Sequence, residues 1–197
     1  RPLKPEADIT ESDIKESSRV VAQMGLEPMI EALNKSPDLI LTGRAYDPVV
    51  FAAYPVKEGF DRGLALHLGK VVECASIAAT PGSGSDCMFA VLGKESFILE
   101  PLNPERSCTV TSVAAHTLYE KSNPYQLTGP GGKIDLHETE FEQIDGRRVR
   151  VKGTKFIEDS NYTVKLEGAR KAGYRTISIC GTRDPIMISK IDNIIEK

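Results

Sequence analysis

The chain has 197 residues, 40% of them hydrophobic and 27% charged, which is enough apolar material to build one large globular domain or two small ones. Its net charge of -3, with Lys and Arg scattered along the chain, provides no basic face of the kind that phosphate-backbone binding needs. Nucleic acid is therefore excluded as a partner, whereas a small anionic substrate needs only a local positive pocket. No apolar run approaches the roughly 18 residues that span a bilayer and no basic-then-apolar leader precedes the first helix, so neither membrane insertion nor secretion is expected. Cys74, Cys87, Cys108 and Cys180 form no Cys-x-x-Cys pair, which argues against a zinc knuckle or disulfide framework and for reduced thiols in a cytoplasmic protein. The chain starts at Arg1, which suggests a trimmed protein or a piece of a longer one.

After a proline-bearing opening, Thr10-Glu-Ser-Asp13 offers helix-capping residues ahead of Ile14, Val20, Val21 and Met24, and the spacing predicts a helix that ends near Gly25. A short helix around residues 28–33 leads into Asp38-Leu-Ile-Leu-Thr42, which reads as a buried strand. Gly43-Arg-Ala-Tyr-Asp-Pro48 breaks it, with Asp47 expected to cap the next helix and Pro48 to occupy its first turn. Leu64, Leu68, Val71, Val72, Ala75 and Ala78 recur at helical spacing over 61–79, with His67 on the polar edge.

Pro81-Gly-Ser-Gly-Ser-Asp86 ends that helix. Residues 87–92 and 96–99 follow as a hairpin around Gly93-Lys-Glu95, and residues 108–121 read as a helix. Residues 123–133, rich in glycine and proline, are expected to be irregular. Alternation then predicts strands over 134–141, 148–151, 162–166 and 174–180, with a turn at Asp145-Gly146, and residues 185–195 form a closing helix. The expected fold class is α/β (mixed α and β). Residues 1–133 alternate helix and strand, residues 134–197 are mainly β with the closing helix, and the two segments pack as one domain.

One local pattern recurs. Leu39-Ile-Leu-Thr-Gly-Arg44 followed by Asp47-Pro48 resembles Ile177-Ser-Ile-Cys-Gly181 followed by Arg183-Asp184-Pro185. Strand-to-helix turns present unpaired amides and a partial positive charge, and Arg44 and Arg183 add bidentate donors for a carboxylate or phosphate. The plainer alternative makes Asp47 and Asp184 helix caps and pairs the arginines with surface carboxylates.

Within 81–86, Ser83, Ser85 and Asp86 sit among small residues whose amides can converge on an anion, although the segment equally suits a helix stop; it matches neither standard glycine-rich nucleotide motif. His116 and Glu120 share a helix face next to Tyr119, an arrangement that suits a general base and its orienting group as well as simple helix stabilisation. Asp135-Leu-His137 with Glu140 is a near miss to the Asp-x-His-x-x-Gly motif by which some mutases ligate cobalamin, with Glu140 in place of the glycine. Lys165 and Glu167 alternate onto one strand face, either as a solvated face or as an acid/base pair.

Gly43-Arg44-Ala with Asp47-Pro48, Gly63-Leu-Ala with His67-Leu-Gly-Lys70 and Glu73-Cys74, Pro81 to Asp86, Glu100 to Arg106, Thr111 to Lys121, Gly129 to Gly132, Tyr162 to Arg170, Gly173 to Ser178 and Arg183-Asp-Pro185 together resemble the acyclic terpene utilisation family. The resemblance runs from about Ser36 to the end. It implies a role in catabolism of branched isoprenoids through acyl-CoA intermediates, and a longer parent chain with an α/β segment ahead of this one. It adds Asn103 and Arg106 to the residues expected to bind an anion. The leading expectation is an enzyme, of lyase or hydratase type, acting on an acyl-CoA or branched carboxylate. Arg44 and Arg106 would bind the anion, and His116 or Lys165 with Glu167 would move protons. The resemblance leaves the cofactor unknown, and three scattered histidines suggest no metal site. One alternative is a non-catalytic subunit or assembly module, because Ile188, Ile191, Ile194 and Ile195 form an apolar stripe that a homo-oligomer or a missing N-terminal segment would cover. A second is a glutamate mutase-related protein.

Overall fold

In a computed structural model the chain is a mixed α and β protein, with residues 9–119, 121 and 123–196 described. Thr10 and Asp13 form the expected capping box, but helix α1 covers only Glu11–Glu16. Strand β1, Ser17–Gln23, replaces the rest of the predicted helix, because its β-branched Val20 and Val21 lie in an antiparallel ladder with residues 165–170. Helix α2, Leu26–Leu33, follows.

The expected buried strand at 38–42 does not form. Met24 and Ala45 make one parallel bridge, and the segment before it takes no ladder partner, leaving Leu39 and Leu41 82% and 93% exposed. The recurring segment at 174–180 behaves the same way, with Ile177 and Ile179 80% and 93% exposed and no strand assigned. A strand is stable only where a neighbour satisfies its backbone groups, and none of the described residues does so here.

Helix α3, Asp47–Lys57, is capped by Tyr46, with Asp47 as its first residue and not its cap, because the Asp47 carboxylate is held by Arg44. Helix α4, Arg62–Val72, is capped by the Asp61 carboxylate accepting from the Leu64 amide, and it is buried continuously from Gly63 to Val71. It stops earlier than predicted, at Glu73, before a 3₁₀ turn over Ala75–Ala78. Strands β2, Met88–Leu92, and β3, Ser96–Pro101, make the predicted hairpin, followed by helix α5, Val110–Thr117.

The segment expected to be irregular instead holds β4, Gln126–Gly129, and the start of β5, Gly132–Asp135. Gly131 makes the tight connection at φ +74°, where a Cβ would also strike the Tyr162 ring. Strands β6, Glu140–Gln143, β7, Val149–Lys152, β8, Lys155–Glu158, and β9, Lys165–Arg170, complete the β structure. The antiparallel sheets are β1-β9, β2-β3-β7-β6 and β4-β5-β8. The closing helix is broken at Lys190 into α6, Pro185–Ser189, and α7, Ile191–Ile195. No helix among the described residues is long and apolar enough to cross a membrane.

Helix α4 separates two apolar clusters. Ala65 and Leu66 join Tyr46, Val49, Leu127 and Ile134, while Leu64, Leu68 and Val71 join Phe97, Leu99, Val113, Val149 and Val151. Each fully buried large side chain contributes about 1.5–3 kcal/mol. Close approach is permitted by Gly69, where a Cβ would lie 2.3 Å from the Pro48 carbonyl oxygen of α3, and by Gly63, where it would meet the Lys155 backbone of β8 at 2.6 Å. Arg62 ties the same helix to Glu27 of α2 at 2.9 Å and Glu158 of β8 at 3.2 Å, while Tyr162 donates to Glu27 at 2.7 Å.

The predicted exposed edge of α4 is absent, and His67 is fully buried. Its Nδ1 lies 2.8 Å from the Thr154 hydroxyl and its Nε2 2.9 Å from that of Thr117, with Phe97 and Phe141 edge-on to the ring. Burial, assisted by the nearby Lys70 charge, lowers its pKa to about 3, so the folded protein holds it neutral. An unfolded chain binds a proton at His67 below about pH 6.5, whereas the folded chain does not. Stability is therefore complete above that pH and falls as pH drops toward 3. The wild type is predicted to lose about 1.4 kcal/mol per pH unit more than His67→Gln between roughly pH 6 and 4 in urea titrations. Equal slopes would show that His67 is not held neutral.

Candidate functional site

The Gly43–Pro48 turn projects Arg44 into a carboxylate cage. Arg44 Nη1 donates to Asp47 at 2.7 Å and Nε to Glu167 of β9 at 2.8 Å, while Gln23 of β1 donates to the same Glu167 oxygen at 2.9 Å. These bonds, that to Asp47 first, hold the Arg44 pKa above its ordinary value, and the bonds from Gln23 and then Arg44 hold the Glu167 carboxyl below its own. The plainer reading of Arg44, an arginine paired with carboxylates, thus describes its arrangement. Lys165 stands opposite Gln23 in the β1-β9 ladder, and its charge also lowers the Glu167 pKa.

Beneath this turn lies a group of titratable side chains that the sequence reading did not assemble. Lys70 and Glu73, at the end of α4, form an ion pair at 2.7 Å with side chains only 3% and 11% exposed. Tyr46 is buried next to them, and Lys121 donates to its hydroxyl at 3.2 Å. Burial first, then the charges of Glu73 and Asp47, push the Tyr46 phenol pKa up, which places all three in one electrostatic neighbourhood. Burial also raises the Glu73 pKa, against the opposing pull of Lys70. His116 belongs to the same region: it stacks on Tyr119 with ring centroids 5.6 Å apart, and Lys70 Nζ lies 5.7 Å from the Tyr119 ring centroid. Glu120, the predicted partner of His116, lies outside the described residues. The signal for this group was the spacing of Lys70 and Glu73 by one helical turn, which alone looks like a surface pair; its burial sets it apart.

The remaining predicted binding residues form a second cluster. Arg106 donates to Asp86 and to the Pro81 carbonyl, and Asn103 donates to the same Asp86 oxygen at 3.1 Å. Bonds from Arg106 and then Asn103 lower the Asp86 pKa. Ser83 and Ser85 bond to each other at 2.9 Å, and the Ser83 amide and carbonyl both engage Ser76, so the loop closes largely on itself. Arg147, not singled out from sequence, fixes the 101–106 loop by donating to the carbonyls of Pro101 at 2.6 Å, Asn103 at 3.0 Å and Arg106 at 3.2 Å.

Asp184 caps α6 through the amides of Ile186 and Met187, and Arg183 beside it is exposed. Asp135 and His137 pair at 3.0 Å, with exposed His137 stacked on Tyr125.

Breaking a buried ion pair from one side costs about 3–5 kcal/mol because a charge is stranded. Lys70→Met is predicted to destabilise the protein by about that amount at pH 8, and by less toward pH 4, as measured by chemical denaturation. The sign follows from Glu73. Its folded pKa lies above its unfolded value, so protonation of the folded state relieves the deficit below the unfolded pKa, and the deficit grows as pH rises through the folded one. A deficit independent of pH would show that Glu73 is not the stranded charge.

Residues 94–195, more than half of the chain, match the family model described as acyclic terpene utilisation family protein AtuA. No curated protein and no solved structure matches the chain. The match covers β3, α5, the sheet strands β4 to β9 and the two closing helices, and it includes His116, Lys165, Glu167 and Arg183. The chain belongs to the acyclic terpene utilisation (AtuA) family.

Proposed function

We propose that this chain forms part of a catabolic enzyme acting on an acyl-CoA or branched carboxylate intermediate, by lyase or hydratase chemistry, at the site beneath the Gly43–Pro48 turn. The observation that carries the reading is the buried Lys70–Glu73 pair beside Tyr46, close enough to Asp47 for its charge to act on Glu73, while Asp47 and Glu167, both exposed, hold Arg44. Lyases and hydratases need a proton donor or acceptor next to a group that neutralises developing negative charge. Glu73, Tyr46 and Lys121 supply those types in one place. Arg44 exchanges its surface carboxylate partners for a ligand anion at small cost, because such exposed pairs are individually worth less than about 1 kcal/mol. His116, Lys165 and Glu167 flank this site in the proposal, and Arg106 with Asp86 and Asn103 shapes the separate 81–106 loop.

Arg44→Ala is expected to weaken binding of 3-methylbutanoyl-CoA by at least about tenfold in calorimetry, as loss of a charge-assisted contact of about 1.5–3 kcal/mol requires. The melting temperature should stay close to wild type. Equal affinity in the folded variant would remove Arg44 from the site.

A second reading, that of an assembly module, is favoured by the exposed Leu39, Leu41, Ile177 and Ile179 together with Ile188, Ile194 and Ile195 on the closing helices. Sedimentation of the chain discriminates. Self-association that is lost in Leu41→Lys and Ile179→Lys supports the module, and a monomer at all concentrations contradicts it.

A further inference from the structure

One feature of Glu73 is left unused by an ordinary structural ion pair. Its Oε1 accepts from Lys70 at 2.7 Å, whereas its Oε2 is buried and accepts no hydrogen bond from any described residue. A buried carboxylate kept only for stability would have both oxygens satisfied, because each unmade bond costs about 1–3 kcal/mol. The polar groups coupled to it come from three places: Lys70 on α4, Tyr46 and Asp47 at the start of α3, and Lys121 just after α5. We propose that Glu73 is the proton-transferring catalytic residue of this site, with Oε2 as the reacting atom and Lys70 as the positioning residue that fixes the other oxygen. The proposal rests on the acyl-ligand reading above and adds the identity of the base.

Glu73 Oε2 removes a proton from the carbon next to the acyl carbonyl. The electron pair of that C–H bond forms a carbon–carbon double bond, and the carbonyl π pair moves to the oxygen, which becomes an enolate oxygen. The Lys121 ammonium and the Tyr46 hydroxyl, already bonded to one another, are the donors that meet its charge. The Glu73 carboxyl proton exchanges with solvent before it is returned to carbon to regenerate the acyl group, so in D2O the delivered nucleus is deuterium. Burial supports this role by raising the Glu73 pKa toward the operating range that a general base needs.

The test follows solvent deuterium entering carbon 2 of 3-methylbutanoyl-CoA by proton NMR, with affinity measured in parallel by calorimetry. The wild type is expected to exchange this position. Glu73→Gln, whose amide oxygen still accepts from Lys70, should lower the exchange rate at least about 100-fold with affinity nearly unchanged. Glu73→Asp keeps the charge beside Lys70 but withdraws it by one methylene, so it should fold even where the glutamine variant does not and should also lose exchange. Exchange at the wild-type rate in either folded variant, or wild-type binding without exchange, overturns the role of Glu73 and leaves the ligand reading standing. Absence of wild-type binding overturns the ligand reading itself and the proposal with it.

Discussion

Helix α4 is buried on every side, and that single constraint organises the rest of the protein. A helix enclosed by apolar clusters on both flanks has no solvent face on which to discard its polar residues, so His67 and Lys70 each need an internal partner. The two needs are met differently. His67 is held neutral between two threonine hydroxyls and two aromatic edges, which is a solution of packing and hydrogen bonding. Lys70 takes a carboxylate, Glu73, down with it, which is a solution of charge. Burying two charges is expensive even when they are paired, so the second arrangement is the one that stability alone explains least well.

The turn that carries Arg44 lies above this pair because α3 and α4 pack closely at Pro48 and Gly69. Tyr46 is both a core residue and a member of the polar group, and its phenol connects the apolar cluster below to Lys121. Arg44 in turn reaches β9, so the β1-β9 ladder, the turn and the end of α4 converge on one place. The Asp86–Arg106 cluster is built on separate loops that Arg147 fastens together.

Much of the fold was legible where local signals and tertiary context agree. The Thr10 capping box, the 88–101 hairpin, α2, α5 and the Asp145-Gly146 turn all follow from short-range chemistry. Three misreadings have physical causes. Val20 and Val21 fit helical spacing, but pairing with a strand more than 140 residues later decides their state, and no local pattern carries that information. Leu39 to Leu41 and Ile177 to Ile179 have strand composition without a neighbour to complete a ladder. The glycines near 130 look like irregular chain but supply the positive φ that a tight hairpin needs. For the site, the arginine and aspartate of the turn were visible as residues, whereas the weight of Lys70 and Glu73 comes only from burial. Periodicity gives α4 one apolar face, Leu64, Leu68 and Val71, which packs on β3 and β7, and it took the cluster of Tyr46, Val49, Leu127 and Ile134 to enclose the other.

In the proposal, an acyl ligand is handled at the buried end of α4, beneath the Arg44 turn. A crystal structure of the chain soaked with 3-methylbutanoyl-CoA tests this most directly. The acyl carbonyl is expected next to Tyr46 and Lys121, with its neighbouring carbon within reach of Glu73 Oε2 and Arg44 turned away from Asp47 or Glu167 toward the ligand. An acyl group lodged instead at Asp86 and Arg106, with the Lys70–Glu73 pair unchanged, would contradict it.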